Sequence, residues 1–245
     1  MFAAVSHWLD APLSSSYRWT MLAAIGLSAW YWIWRSKRDP SLLLIYVGGL
    51  GGAFLGAKLA YLFAEGWRDW PLADRWVRLA SGKSVVGGLL GGYGGVELMK
   101  WTLRYRKSTG DLFALIVPLG IALGRVGCWL QGCCLGKPTT LSWIAIRDRF
   151  GVPRWPASQI ELLFQLVMFA VLWLLRNRDG WQGRLFFLYL FCYGIFRFFH
   201  EFLRDTPLLV EGLSGYQFLS LVMVLAGAVV LHRRKPEGLT VSAGS

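Results

Sequence analysis

Leu185–Arg204 reads LFFLYLFCYGIFRFFHEFLR, a stretch whose ionisable side chains Arg197, His200, Glu201 and Arg204 all crowd one end. Twenty helical residues rise about 30 Å, the thickness of a bilayer's hydrocarbon core. No soluble helix needs so continuous an apolar and aromatic surface, so this segment is read as a membrane span. Working outward, six more runs have similar length and character: Arg18 to Trp34, Ser41 to Ala64, Val85 to Leu103, Leu112 to Gln131, Ser158 to Leu175 and Gly215 to His232. The expected fold class is therefore all-α, a polytopic membrane protein of about seven transmembrane helices.

Composition agrees. Of 245 residues, 55% are hydrophobic and 16% charged, and the mean hydropathy is +0.44, too apolar for an ordinary soluble domain and too poor in charge for a disordered chain. Fourteen Trp, fifteen Phe and nine Tyr suit helix ends at two membrane interfaces. The net charge of +12 does not point to nucleic acid, because the basic residues fall in short clusters between apolar runs.

Alternate connectors repeat one signature: Arg35, Lys37 and Arg38; Arg104, Arg106 and Lys107; Arg176, Arg178 and Arg184; Arg233, Arg234 and Lys235. Basic residues on the other side are diluted over the longer stretches from Glu65 to Ser84 and from Cys133 to Ala157. Dense charge in short loops marks the cytoplasmic side, which places the N-terminus outside and the C-terminus in the cytoplasm. Met1 to Tyr17 has no basic n-region, so the first apolar run is expected to stay as a helix. One membrane-embedded domain over residues 1–235 and a disordered tail over 236–245 complete the expected organisation. The glycine-rich stretches at 48–52 and 87–92 are read as helix-packing surfaces.

Ionisable residues within a span each need a partner, an interface or a task. Lys58, Glu97, Lys100, Arg125, Glu161, Arg197, His200 and Glu201 are in that position. Glu97 and Lys100, spaced i, i+3, are read as a local pair. Arg197, Glu201 and Arg204 fall along one helical stripe at i, i+4 and i+7, with His200 at its edge. Two guanidinium groups separated by one carboxylate make a cationic site suited to a phosphate that arrives with a lipid. Arg125 supplies a second cation, on a helix where Gly120 and Gly124 predict a small-residue packing face. Beyond Gln131 the helix is expected to break into a loop.

Cys128, Cys133 and Cys134 lie within seven residues, and Cys192 stands apart. Their spacing matches no standard zinc pattern and lacks a nearby His, so no metal is expected. A Cys128–Cys133 disulfide, inert thiols and a thiolate activated by Arg125 all remain open.

With these residues in view, the chain resembles the prolipoprotein diacylglyceryl transferase family of bacterial inner-membrane enzymes. The resemblance rests on an ordered set: Gly56-Ala57-Lys58-Leu59-Ala60-Tyr61, then Gly87-Gly88-Leu89, Asp111, Gly124-Arg125-Val126-Gly127, Gln131-Gly132 and Gly136. Pro156 with Ser158-Gln159, Tyr193-Gly194 with Phe196-Arg197, Glu201-Phe202 with Arg204, and Gln217 with Leu219-Ser220 continue it. It implies transfer of the diacylglyceryl group of phosphatidylglycerol, or a similar anionic phospholipid, to the cysteine thiol of a secreted prolipoprotein, with no cofactor and no nucleic acid, at a periplasm-facing site in the inner membrane.

On that resemblance Arg125, Arg197, Glu201 and Arg204 are the catalytic set: two arginines clamp the phosphate, Glu201 orients Arg197 and Arg204, and Arg204 meets the headgroup. Lys58, Tyr61, Gly87, Gly88, Gly127, Gln131, Gly132 and Gly136 are the implied substrate-binding residues, and Cys128, Cys133 and His200 are placed with them for their positions beside that set. The chain departs from the family at Val86, where a histidine is usual, at Cys128 for asparagine and at Cys133 for an acidic residue. Glu161 also stands one residue early, with Leu162 at the family's position. Such a chain is expected to be a transferase using the family's donor, possessing the same or another acceptor. Lipid handling without reaction and membrane thiol oxidoreduction are the competing classes.

Overall fold

The structure is a computed structural model that describes residues 15–233. Seven long helices run through it: α1 (Ser15–Ser36), α2 (Ser41–Tyr61), α5 (Val85–Thr102), α6 (Gly110–Gln131), α7 (Ala157–Leu175), α8 (Leu185–His200) and α9 (Gly215–Arg233). They coincide with the seven predicted runs to within a few residues. Five of them, α2 with its extension to Asp69, α6, α7, α8 with its extension to Leu203, and α9, are long and apolar enough to cross a membrane. α5 falls below that mark because it is dominated by glycine and carries Glu97 and Lys100. Residues 1–14 and 234–245, the latter including the predicted tail 236–245, lie outside the described residues.

The two loop-rich connections lie at one end of the bundle. After α2 the chain passes through a π-turn (Leu62–Gly66) into the short α3 (Trp67–Asp69) and α4 (Arg75–Ser81). After α6 it forms a two-stranded antiparallel unit, β1 (Ile146–Arg147) with β2 (Pro153–Arg154). A second pair, β3 (Leu208–Val210) with β4 (Leu213–Ser214), follows a 3₁₀ turn at Glu201–Leu203. The basic residues 35–38, 104–107 and 176–184, with Arg233, gather at the opposite end, where Tyr105 donates to Asp39 at 2.9 Å and Arg184 donates to the Leu231 carbonyl at 2.7 Å.

Helix packing follows small residues. α2 and α5 form the most extensive contact in the bundle, and the two glycine-rich stretches face each other across it. A Cβ placed on Gly56 would sit 2.4 Å from the Gly87 carbonyl oxygen and 2.7 Å from Gly91 Cα, and one on Gly52 would sit 2.3 Å from the Gly91 oxygen. Here backbone touches backbone, as small-residue repeats permit in membranes. α8 and α9 pack in the same way, with Gly194 against the Ser220 carbonyl. The predicted packing role of Gly120 is not realised: a Cβ there would meet nothing within 4 Å, because that face of α6 opens on a cavity.

Between these pairs lies a core of Val86, Leu172, Leu190, Met223 and the stacked rings of Tyr189 and Tyr193, all fully buried. Outward faces carry Trp30, Phe54, Leu174 and Leu225, each more than three-fifths exposed. Apolar side chains pointing outward in every direction fit a lipid surround and not water.

Candidate active site

Four helical segments bring their charged residues to one point near the loop-rich end. Glu161, in the first turns of α7, is completely buried and forms the hub. Its Oε1 accepts from Arg125 Nη2 at 2.8 Å and from the Tyr193 hydroxyl at 2.8 Å. Its Oε2 accepts from Arg197 Nη1 at 3.3 Å and lies 3.9 Å from Arg204 Nη1. Glu201 pairs with Arg197 Nη2 at 2.8 Å and with Arg204 Nε at 3.6 Å. Arg197, Glu201 and Arg204 therefore stand together, with Glu201 at ion-pair distance from both arginines.

In the sequence Glu161 is an ionisable residue within a span, one residue early for the family's pattern; the structure makes it the carboxylate that binds three arginines together. Its signal was visible as an acidic residue inside an apolar span, but the partners, 36 residues away on either side, lie beyond any helical periodicity. Glu65 was missed altogether. It sits in the π-turn after α2 and lines the cavity beside Arg204 and Tyr216.

Several buried polar atoms of this cluster have no hydrogen-bond partner among the described residues: Nε of Arg125 and of Arg197, both carboxylate oxygens of Glu201, and Nε and Nη1 of Arg204, which reach Glu201 and Glu161 only at ion-pair distance. Buried polar groups are rarely left so, and a set of them on guanidinium groups marks a place for an anionic ligand. The cluster closes one end of a cavity of about 1290 Å³ that Arg125, Arg197 and Arg204 line together. The rest of its wall is mainly apolar and glycine-rich surface from α1, α2, α5 and α6. It follows α5 from Ser84 to Lys100, sixteen residues apart or about 24 Å at 1.5 Å per residue. A space of that length, with three arginines at one end, the paired Glu97 and Lys100 at the other and a mainly apolar wall between them, has the dimensions of a phospholipid.

The remaining predicted residues divide. Tyr61, Gly88, Cys128 and, through its neighbours, the Gly124–Arg125 turn face the cavity. Tyr61 also donates to Asp69. Gly127 is buried on α6. Gly87 does not bind in the cavity but packs on Gly56 and Ala60. Lys58 does not line the cavity either: its ammonium donates to the carbonyls of Leu79 and Gly82, stapling α2 to the end of α4. His200, placed with the substrate-binding residues, does not line the cavity: it stacks on Phe196 and accepts from Trp155 Nε1 at 3.2 Å. Gln131 ends α6 outside the cavity wall.

Gly132 caps α6 in the left-handed conformation at φ 66°, as the predicted helix break requires. Gly136 bridges to Arg204, its amide donating to the Trp155 carbonyl at 2.8 Å. A Cβ there would lie 2.4 Å from the Leu203 oxygen, so only glycine lets this loop lie against the turn that positions Arg204. Arg154 fastens the same region, bonding Asp148 at 2.7 Å and Asp205 at 3.2 Å. Burial pushes the Asp148 carboxyl up, but Arg154 and the amides of Val152 and Phe150 outweigh it and hold the group below the usual aspartate range. All four cysteines are free thiols.

Fold and site together define an all-α polytopic membrane protein with a buried arginine–carboxylate centre at the end of a lipid-sized cavity. The sequence profile of the prolipoprotein diacylglyceryl transferase family matches residues 14–233. The chain is 36% identical over 200 residues to a phosphatidylglycerol–prolipoprotein diacylglyceryl transferase of Bordetella parapertussis, covering 77% of this chain and 72% of that protein. It is 32% identical to the enzyme of that name from Idiomarina loihiensis, covering 90% and 89% of the two chains, and 33% identical to a second such enzyme from Clostridium perfringens, covering 82% and 80%. The chain belongs to the prolipoprotein diacylglyceryl transferase family. That membership bears out the resemblance read from the motifs and sets aside thiol oxidoreduction as the chain's class.

Proposed function

We propose that this chain transfers the diacylglyceryl group of phosphatidylglycerol, or a similar anionic phospholipid, to a cysteine thiol of a prolipoprotein. The observation that carries the reading is the convergence of Arg125, Arg197 and Arg204, each with at least one guanidinium nitrogen that makes no hydrogen bond, at the end of a mainly apolar cavity about 1290 Å³ in volume.

In the reaction the acceptor sulfur forms a bond to the glyceryl carbon as the carbon–oxygen bond to phosphate breaks and glycerol phosphate leaves with the electron pair. Negative charge grows on the phosphate oxygen in that step. Preorganised cations in a poorly hydrated site stabilise such charge far better than water can. Glu161 and Glu201 hold the arginine forks in place, and each is engaged by at least two of them, so neither serves as a free base. The arginine field itself lowers the cost of forming the acceptor thiolate. The acyl chains lie along the glycine-rich wall of α5.

Dense basic clusters at the end opposite the site support an orientation with those loops in the cytoplasm and the site facing the periplasm of the bacterial inner membrane. The deciding experiment uses purified chain in detergent, phosphatidylglycerol labelled in its glyceryl group and a lipobox peptide, beside Arg125→Ala. Label on the peptide cysteine that disappears in the variant is the expected result. Phospholipid that binds with no transfer to the peptide would overturn the acceptor assignment.

A further inference from the structure

The sequence spacing of Cys128, Cys133 and Cys134 argued against a metal, yet the fold brings all three sulfurs together. Their Sγ atoms lie within 4.8 Å of one another, and among the described residues no other trio of His, Cys, Asp or Glu ligand atoms is so grouped. The chain turns back on the end of α6 to achieve this. Gly132 takes φ 66°, the Cys133 amide donates to the Cys128 carbonyl at 3.0 Å, and Cys134 is held at φ 58°. A non-glycine residue in the left-handed region is uncommon and is often found where a side chain is placed for use.

We propose that Cys128, Cys133 and Cys134 form a three-sulfur site for a soft divalent cation, zinc in the first instance, whose fourth position opens toward the cavity. Two thiolates on a tetrahedral zinc are about 3.8 Å apart at zinc–sulfur distances of about 2.3 Å, so the trio closes on an ion with small side-chain rotations. Cys128 and Cys134 line the same cavity as Arg125 and Arg204, and Arg125 Nη1 lies 3.9 Å from Cys128 Sγ. Three thiolates around a divalent ion carry one net negative charge, which these guanidinium groups offset. Adjacent Cys133 and Cys134, with Cα atoms about 3.8 Å apart across a trans peptide, are too close for an ordinary disulfide, whose Cα separation begins near 4.4 Å.

The open position gives the site a task, and this part rests on the transferase reading. A thiol bound to such an ion is deprotonated outright. The acceptor cysteine would release its proton to water on coordination, and its sulfur would then bond to the glyceryl carbon as the carbon–oxygen bond to phosphate breaks and the phosphate takes the electron pair.

Cobalt(II) titration of the reduced full chain in detergent tests the site. The expected result is one ion per chain, with sulfur-to-cobalt charge-transfer and tetrahedral visible bands. Those bands are lost in Cys128→Ser, Cys133→Ser and Cys134→Ser and kept in Cys192→Ser. In the unsubstituted chain, zinc should protect Cys134 from maleimide, a readout independent of how the variants fold. A cysteine lipobox peptide should shift the cobalt bands and its serine counterpart should not. Bands that follow Cys192, no protection by zinc, or a disulfide within the trio in unreduced protein would overturn the site. Transfer at an unchanged rate after chelation overturns its catalytic part while leaving the transferase reading intact. A peptide-induced shift without any transfer leaves the site standing and removes the transferase reading.

Discussion

Glu161 Oε1 meets Arg125 Nη2 at 2.8 Å with the glutamate wholly out of solvent, joining α6 to α7 through a charge pair that neither helix could bury alone. Removing one partner of such a pair leaves an uncompensated charge in a low-dielectric interior, which costs about 3–5 kcal/mol. Glu161→Gln should therefore lower thermal stability in detergent sharply and abolish transfer. Arg125→Gln combined with Glu161→Gln should be less destabilised than the two single losses summed, and strict additivity in that cycle would show that the pair is not coupled.

Arg197 spans both carboxylates, with Nη1 toward Glu161 and Nη2 toward Glu201. Lysine keeps the charge but cannot reproduce the planar fork. Arg197→Lys should reduce kcat on the order of a hundredfold with a smaller effect on KM for the phospholipid. Near-normal turnover would mean that only charge, and no particular geometry, is required there.

Lys58 makes the opposite prediction. Its ammonium is spent on the Leu79 and Gly82 carbonyls, so Lys58→Met should weaken the α2–α4 junction, seen as faster proteolysis around residues 70–83, and leave KM for phospholipid within about twofold. A large rise in KM would return Lys58 to the headgroup site.

The α2–α5 seam can be probed at two glycines of the same helix. Gly91→Val drives its side chain into the backbone of Gly52 and Gly56, whereas Gly94 has nothing within 4 Å of a new Cβ. Folded yield should collapse for the first and be unchanged, or slightly improved through lower unfolded-chain entropy, for Gly94→Ala.

The Asp148 carboxyl is held below its ordinary value by Arg154 and two backbone amides against the effect of burial. A depressed folded value means that this carboxylate stabilises the loop above the unfolded value of about 3.9, and that the contribution is lost as pH falls through the folded value. Hydrogen exchange over residues 146–154 should accelerate below about pH 4 in the native chain. Asp148→Asn should show fast exchange at all pH values, without that step.

The helices were legible because a bilayer imposes a length and a composition that no other environment does, and the arginine stripe of α8 was legible because i, i+4 and i+7 neighbours are fixed by helix geometry. What sequence periodicity could not supply was contact between helices. Glu161 stands out in the sequence as a charged residue inside an apolar span, but its role as a hub does not, since its partners lie on α6 and α8. His200 shared a helical edge with the catalytic stripe, yet Trp155 from the preceding loop drew it away. The three cysteines matched no ligand spacing along the chain, because their approach depends on a left-handed turn at Gly132 and another at Cys134.

The seam between α2 and α5 sets how the molecule can move. Helices joined by interlocking side chains can slide as rotamers change, but two backbones in direct contact have no such slack, so α2 and α5 behave as a single slab. α1 and α6 pack on each other and supply the facing wall of the cavity. The chamber therefore has most freedom to breathe where this slab meets its neighbours. Lipid exchange becomes a sideways event, a tail slipping between two plates from the surrounding leaflet, and its rate should answer to the thickness and fluidity of the bilayer as much as to any residue at the phosphate end.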